Sequence, residues 1–317
     1  MRVLANDGIS EAGVKRLEEN GVEVSLDKIE QENLAQGIND GKFDAILVRS
    51  ATQVRKEVID ACPNLKLIGR GGVGMDNIDV SYGRSKGLHV VNTPGASSQS
   101  VAELAVGSMF SMARFTYDAG RKMPEKGGSE FKALKKSYGK GTELQGKTLG
   151  VIGFGGIGRS LAKYALGCGM NVIYNDLVQE TVELDMNIAG HQFNVTLNRT
   201  GFEDLISSAD FISLHVPKQA DGRAVIGAGE LAKMKDGVCL VNTSRGGSID
   251  EMALIEALDS GKVKAATLDV FEGEPNPRPE LLQHPRILST PHIGGSTVEA
   301  QERIGIELAN QIITLLK

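Results

Sequence analysis

The chain has 317 residues, of which 41% are hydrophobic and 24% charged, with a formal net charge of −5. That length allows two domains, each with its own core, in an ordinary globular composition. The acidic balance, without a dense Lys/Arg tract, argues against nucleic acid as a partner, and no apolar run approaches a membrane span.

Three cysteines, Cys62, Cys168 and Cys239, are widely spaced and form no Cys-x-x-Cys. They read as buried or free thiols of a reducing compartment. The first strand starts at Arg2 with no apolar leader, so cytoplasmic residence is the expectation. No metal is expected.

Strand-like and helix-like segments then alternate, the pattern of parallel sheets with helices on both faces. Val3–Ala5, Val22–Val24, Ala45–Val48, Leu67–Gly69 and His89–Val91 are predicted strands, a self-contained first sheet. Helices between them stop at signals such as Asn20-Gly21 and Lys86-Gly87. A longer helical pattern runs from Ser97 to about Lys122 and is apolar on more than one face, which predicts packing between domains or subunits. A looser polar stretch, Gly127 to Gly146, follows. It runs into Gly141–Thr148, which matches Gly-x-x-x-x-Gly-Lys-Thr. A phosphate-binding P-loop follows a strand and opens a helix, whereas this one precedes a strand, so nucleotide hydrolysis is not expected.

The next run, Thr148 to Gly158, carries Gly153-Phe154-Gly155-Gly156-Ile157-Gly158, and a second strand, Val172–Asn175, ends in Asp176. Strand, Gly-x-Gly-x-x-Gly turn, helix and terminal acid are together the signature of a dinucleotide site. Gly153 permits the tight turn, Gly155 lets the backbone approach the pyrophosphate, and Gly158 lets the helix pack on the strand. The helix N-terminus, with Gly156 and Ile157, faces the phosphates. Asp176 would accept the adenosine ribose hydroxyls. Leu177 and Val178 follow it, so the sequence places no Arg beside it, which favours NAD over NADP.

Three later segments share a strand-then-loop form: Val238 to Gly247, Leu268 to Pro275 and Leu288 to Gly295. Open α/β sheets bind ligands at the carboxyl ends of their strands. Arg245, Glu274 and His292 therefore gather as a candidate cation, acid and proton acceptor, the set needed to oxidise a secondary alcohol beside NAD. An amphipathic helix from Val298 to Leu316 closes the chain after Pro291. The predicted domains are residues 1–96 with 290–317 for substrate and 97–289 for the dinucleotide, with an active site between them.

With Val48-Arg49-Ser50, Gly69–Asn77, Val91–Pro94, the dinucleotide motif and the three loops in this order, the chain resembles the D-2-hydroxyacid dehydrogenases, and within them the phosphoglycerate dehydrogenase branch. The resemblance implies a Rossmann NAD domain and a flavodoxin-like substrate domain. It implies that Arg245 holds the substrate carboxylate and polarises the C2 oxygen, that His292 takes the hydroxyl proton, and that Glu274 fixes the tautomer of His292. Asp269 would contact the nicotinamide carboxamide side, and Val73, Val216, Thr243, Ser244 and Gly295 would line the cofactor. His215 would lie near it without a chemical role. Arg49 and Arg70 match arginines that contact a substrate phosphate, and Gly71 and Gly72 would offer N–H groups to its carboxylate.

The expected reaction is oxidation of D-3-phosphoglycerate to 3-phosphohydroxypyruvate, the first step of serine synthesis. Hydroxypyruvate or glyoxylate reduction, and an NAD-sensing corepressor-like binding protein, stand as alternatives. The family forms dimers through its dinucleotide domains, and the apolar helix Val101–Met112 fits that. The segment Tyr117 to Gly141 does not match the family pattern. Because Lys317 directly follows the closing helix, the C-terminal small-molecule-sensing domain of many relatives is expected to be absent.

Overall fold

The computed structural model of the chain describes residues 1–316. It opens with β1 (Arg2–Ala5), α1 (Glu11–Glu18), β2 (Glu23–Ser25), α2 (Leu34–Asp40), β3 (Ala45–Val48), α3 (Lys56–Ala61), β4 (Leu67–Arg70), α4 (Val80–Ser85) and β5 (His89–Asn92). Then come α5 (Ser98–Arg114), α6 (Thr116–Ser137), β6 (Thr148–Ile152), α7 (Gly156–Gly167), β7 (Asn171–Asn175), β8 (Thr181–Ile188), β9 (His191–Asn198) and α8 (Phe202–Ser208). The remainder is β10 (Phe211–Leu214), α9 (Ala228–Lys233), β11 (Val238–Asn242), α10 (Glu251–Asp259), β12 (Val263–Leu268), α11 (Pro279–Gln283), β13 (Ile287–Ser289) and α12 (Val298–Leu316).

These elements form two compact units, Met1–Ser100 together with the chain from Gly295 onward, and Val101–Gly294. The second unit ends at Gly294. His292 thus belongs to the same unit as Arg245 and Glu274.

In the first unit all strands pair in parallel in the order β2-β1-β3-β4-β5, a flavodoxin-like winding. Its strands are apolar without interruption because helices cover both faces. Alternate residues go to opposite cores. Leu4, Ile46, Val48 and Ile68 face one, with Leu34 and Ile59 of α2 and α3. Val3, Ala5, Leu47 and Leu67 face the other, with Leu17 of α1 and Ile304, Leu308, Ala309 and Ile312 of α12.

The second unit has a parallel sheet in the order β13-β12-β11-β10-β6-β7. Leu149 and Val151 face a core built with Leu161 and Ala165 of α7 and with Ala102, Ala105, Met109 and Met112 of α5. The other face carries Ile212, Leu214 and Leu240 against Leu205 of α8 and Leu254 of α10. Most of the apolar surface of α5 is thus spent within its own unit, and Phe110 points outward.

Three features depart from the sequence reading. Residues 116–137 are helical on either side of a kink at Glu130 (φ −118°), so the looser stretch begins at Tyr138, eleven residues later than expected. A left-handed Phe115 (φ 57°) separates α5 from α6. β8 and β9 form an antiparallel hairpin across a turn at Ala189-Gly190, both at positive φ. Its cross-strand apolar pairs are Val182–Leu197, Leu184–Val195 and Met186–Phe193. Lys147, in the false P-loop, lies before β6.

Candidate active site

The dinucleotide motif fits its glycines for different reasons. Gly153 has φ +88°, and a Cβ there would sit 2.5 Å from the His215 carbonyl oxygen. A Cβ on Gly158 would sit 2.4 Å from the Gly153 oxygen, whereas one on Gly155 would meet nothing within 4 Å. The first two glycines are demanded by the protein's own packing, and the third leaves open space above the start of α7. No side chain caps that start, so the N–H groups around Gly156 and Ile157 face the space with the positive end of the helix dipole. Such an open, uncapped helix start is one that could hold a pyrophosphate. Val216 packs beside Gly153, its Cγ1 lying 2.9 Å from a Cβ placed there.

Asp176 directly follows β7. Its carboxylate accepts from the N–H of Phe154 at 2.8 Å, Val178 at 2.9 Å and Gln179 at 3.3 Å. Burial opposes its charge, but these backbone donors and the charge of Arg159 hold its pKa below the usual value. The expectation of no neighbouring Arg needs correction. Arg159 bonds to the Phe154 carbonyl and to Gln179, and Arg199, at the foot of the hairpin, donates to the Asp176 carbonyl at 3.4 Å. Any discrimination against a phosphorylated ribose would rest on the Asp176 carboxylate, not on an absence of arginine. Asp176→Ala is expected to raise kcat/KM with NADPH relative to NADH by about 100-fold, the scale of a removed like-charge contact. Steady-state assays with both cofactors check this, and an unchanged ratio counts against it.

Glu274 and His292 lie beyond the ends of β12 and β13. Nδ1 of His292 is 2.8 Å from Glu274 Oε2, and Glu274 Oε1 accepts from the Phe271 N–H at 2.8 Å. Burial works against the charge of Glu274, yet the bonds from His292 and Phe271 and the charges of His292 and Arg245 lower its pKa overall. An ionised Glu274 accepts Nδ1–H, which leaves Nε2 as the basic nitrogen of a partly exposed ring. His292 itself sits at φ 55°, a left-handed conformation rare for a residue with a Cβ.

Arg245 is presented by a turn that Asn242 builds. The Asn242 side chain donates to the Arg245 carbonyl at 3.0 Å and accepts from the Ser244 N–H and hydroxyl at 3.1 and 2.8 Å. Ser244 is thereby engaged inside the turn. Thr243 beside it is buried, with its hydroxyl making no hydrogen bond within the described residues.

Asp269 is 1% exposed, and its carboxylate accepts from the Thr290 hydroxyl (2.6 Å) and the N–H groups of Ile293 and Gly294 (both 2.8 Å). Those residues flank His292, so Asp269 anchors the loop that carries it. Any contact with a nicotinamide amide comes in addition to that anchoring. His215 bonds through Nε2 to Ser213 at 2.8 Å, and burial pushes its pKa down to about 3, so it is a neutral ring.

In the first unit, Arg49 and Arg70 stand at the carboxyl ends of neighbouring strands, where Val48 pairs with Arg70. The sheet order reverses between β1 and β3, the place where such sheets bind ligands. The loop after β3 is clamped there. Asp7 accepts from Lys28 (2.7 Å), the Thr52 hydroxyl (2.6 Å) and the N–H groups of Arg49 (2.7 Å) and Thr52 (3.0 Å). Burial disfavours its charge, but these donors lower its pKa overall. Asn77 bonds to the Arg49 and Thr52 carbonyls at 2.9 and 2.6 Å. Asp7 and Asn77 were missed in the sequence because their partners lie far along the chain, whereas those of Asn242 are two and three residues away.

Gly71 and Gly72 do not play the expected part. The Gly71 N–H donates to the Val48 carbonyl at 2.9 Å and the Gly72 N–H to the Thr93 hydroxyl at 2.8 Å. Both amides are committed within the protein. Gly72 instead makes room for Arg70, whose Nη1 would sit 1.8 Å from an added Cβ. Val73 is exposed just beyond, and the Gly295 carbonyl accepts from Gln301 at 2.8 Å. Among the described residues there is no cluster of three or more His, Cys, Asp or Glu able to hold a metal, and no helix long and apolar enough to cross a membrane.

Residues 106–294 match the model of the D-isomer specific 2-hydroxyacid dehydrogenase NAD-binding domain. The chain is 45% identical over 315 residues to a hydroxypyruvate reductase of Thermotoga maritima, covering 98% of this chain and 97% of that one. It is 41% identical over 320 residues to a D-3-phosphoglycerate dehydrogenase of Archaeoglobus fulgidus, covering all of this chain but 58% of that one. A glyoxylate reductase structure from Paecilomyes thermophila superposes with a TM-score of 0.82 at 31% identity, over 99% of this chain and 95% of that one. With the dinucleotide cradle and the strand-end Arg, Glu and His in place, the chain belongs to the NAD-dependent D-2-hydroxyacid dehydrogenases.

Proposed function

We propose that the protein is a D-3-phosphoglycerate dehydrogenase, interconverting D-3-phosphoglycerate and 3-phosphohydroxypyruvate at the first step of serine synthesis. The observation that carries this is the pair of arginines, Arg49 and Arg70, at adjacent strand ends of the first unit. Two guanidinium groups suit a phosphate dianion better than a single carboxylate requires. Asp7 and Asn77 hold the loop of Arg49 rigid, the support a charged recognition site needs.

In this reading Arg245 binds the substrate carboxylate and orients the C2 oxygen. Nε2 of His292 takes the hydroxyl proton in oxidation and returns it in reduction. Glu274 holds Nδ1–H and stabilises the imidazolium once formed. NAD would be held by Gly155–Gly158 at its pyrophosphate and by Asp176 at its ribose, and when bound would supply the hydride acceptor. The protein would work in the cytoplasm as a homodimer on a small acid, without nucleic acid or membrane.

A second reading, reduction of hydroxypyruvate, is favoured by the Thermotoga relative, which aligns end to end at higher identity. NADH oxidation with 3-phosphohydroxypyruvate beside hydroxypyruvate, glyoxylate and pyruvate separates the two. Arg70→Ala is expected to lower kcat/KM for the phosphorylated acid about 100-fold, on the scale of a lost charge-assisted pair, and to change the others little. Equal losses on all four substrates would sink the phosphate assignment.

A further inference from the structure

We propose that Glu251 is a positioning residue, locking the loop that carries Glu274 against the loop that carries Arg245. The proposal rests on the reading of Glu274 and His292 as the acid–base pair.

Glu251 is the first residue of α10, directly after the Arg245 turn and the helix cap Asp250. A charged residue there ordinarily points to water, yet Glu251 is 5% exposed. Its Oε1 accepts from the Glu272 N–H at 2.6 Å, and its Oε2 lies 3.3 Å from Nε of Arg278. Arg278 in turn reaches Glu272 at 3.6 Å. The chain from Phe271 to Glu274 is thus held at two successive amides. Glu251 holds the N–H of Glu272, and Glu274 holds the N–H of Phe271 while gripping His292.

A second contact ties the same two loops. A Cβ on Gly246, next to Arg245, would lie 1.9 Å from the Phe271 carbonyl oxygen and 2.8 Å from the Glu272 nitrogen. Backbone meets backbone there, so a shift of residues 271–272 moves both the Glu274 carboxylate and the seat of Arg245. Burial and the neighbouring charge of Glu272 raise the pKa of Glu251, against the bond from the Glu272 N–H and the charge of Arg278. A neutral carboxyl still accepts through one oxygen, so the working part is the acceptor rather than the charge.

The test uses Glu251→Met, which keeps length but removes the acceptor, Glu251→Gln, which restores it, Glu274→Gln, and the double variant E251M/E274Q. Each is assayed as full-length protein for kcat, KM and pH profile with whichever 2-oxo acid the wild type reduces best. E251M is expected to lower kcat about tenfold with KM for NADH unchanged, the effect of one lost bond transmitted to an acid–base pair. Its kcat/KM profile should move in the same direction as that of E274Q, and E251Q should recover most of the rate. The double variant should be no slower than E274Q within about twofold, because both changes act on one carboxylate. Wild-type kcat in E251M, additive losses in the double variant, or no recovery with glutamine would each overturn the proposal. Full activity in E274Q would instead defeat the reading of Glu274 on which it rests.

Discussion

Replacing His292 by alanine is expected to lower kcat by about three orders of magnitude, the usual worth of a positioned proton-transfer group. The affinity for NADH should stay within about twofold. The separation follows from where the parts lie. The proposed pyrophosphate site is built from β6, α7 and the end of β10, and Asp176 follows β7. His292 comes from the loop after β13, held by Asp269 and Glu274. Removing the ring leaves the three bonds to Asp269 intact, since they involve the Thr290 hydroxyl and the N–H groups of Ile293 and Gly294. Stopped-flow turnover and a fluorescence titration of NADH measure the two quantities. A variant that loses cofactor binding along with turnover would mean the ring supports the dinucleotide site, and the assignment would be wrong.

Arg245→Lys should be nearly as damaging, lowering kcat/KM about 100-fold despite keeping the charge, the scale of one lost donor at a developing oxyanion. Lysine offers a point charge, whereas the guanidinium offers a planar fork able to reach a carboxylate and the C2 oxygen together. The Asn242 turn presents that fork from a fixed backbone. The expected loss falls on the 2-oxo acid, with KM for NADH little changed. Full activity in the lysine variant would show that only charge is needed there.

Much of this arrangement was legible in the order of residues. Ala45–Val48 reads as an unbroken apolar strand because both faces of a parallel sheet are covered, and its limits agree with the structure. Gly153, Gly155, Gly158 and Asp176 are spaced by backbone mechanics, so they can be found without coordinates. Local signals for the hairpin were also present, in the alternation of Val182, Leu184 and Met186 and the Ala189-Gly190 turn, but they were absorbed into a general strand–helix series. The extension of α6 was hidden by Gly127 and Gly128. Helical backbone nonetheless continues on either side of a kink at Glu130, with the i,i+4 pair Asp118–Lys122 in its first part.

What the sequence could not disclose was how polar groups are used up. Gly71 and Gly72 look available for a ligand until their acceptors, Val48 and Thr93, are seen more than twenty residues away. Asp7 and Glu251 are carboxylates like any others in one dimension, and Asp269 stood out only for the cofactor. Each proves to be an internal fastening for a loop that bears Arg49, Glu274 or His292.

The return of the chain to its first unit sets an order of assembly. Ile304, Leu308 and Ile312 complete a core that Val3, Ala5 and Leu17 begin. During synthesis from the N-terminus, the first sheet must wait with one face covered only in part, by α1, until α12 leaves the ribosome. The unit from Val101 to Gly294, contiguous in sequence, can close on its own in the meantime. The unit started first is the last to be finished, and its part-covered face is where a chaperone would find this protein most exposed.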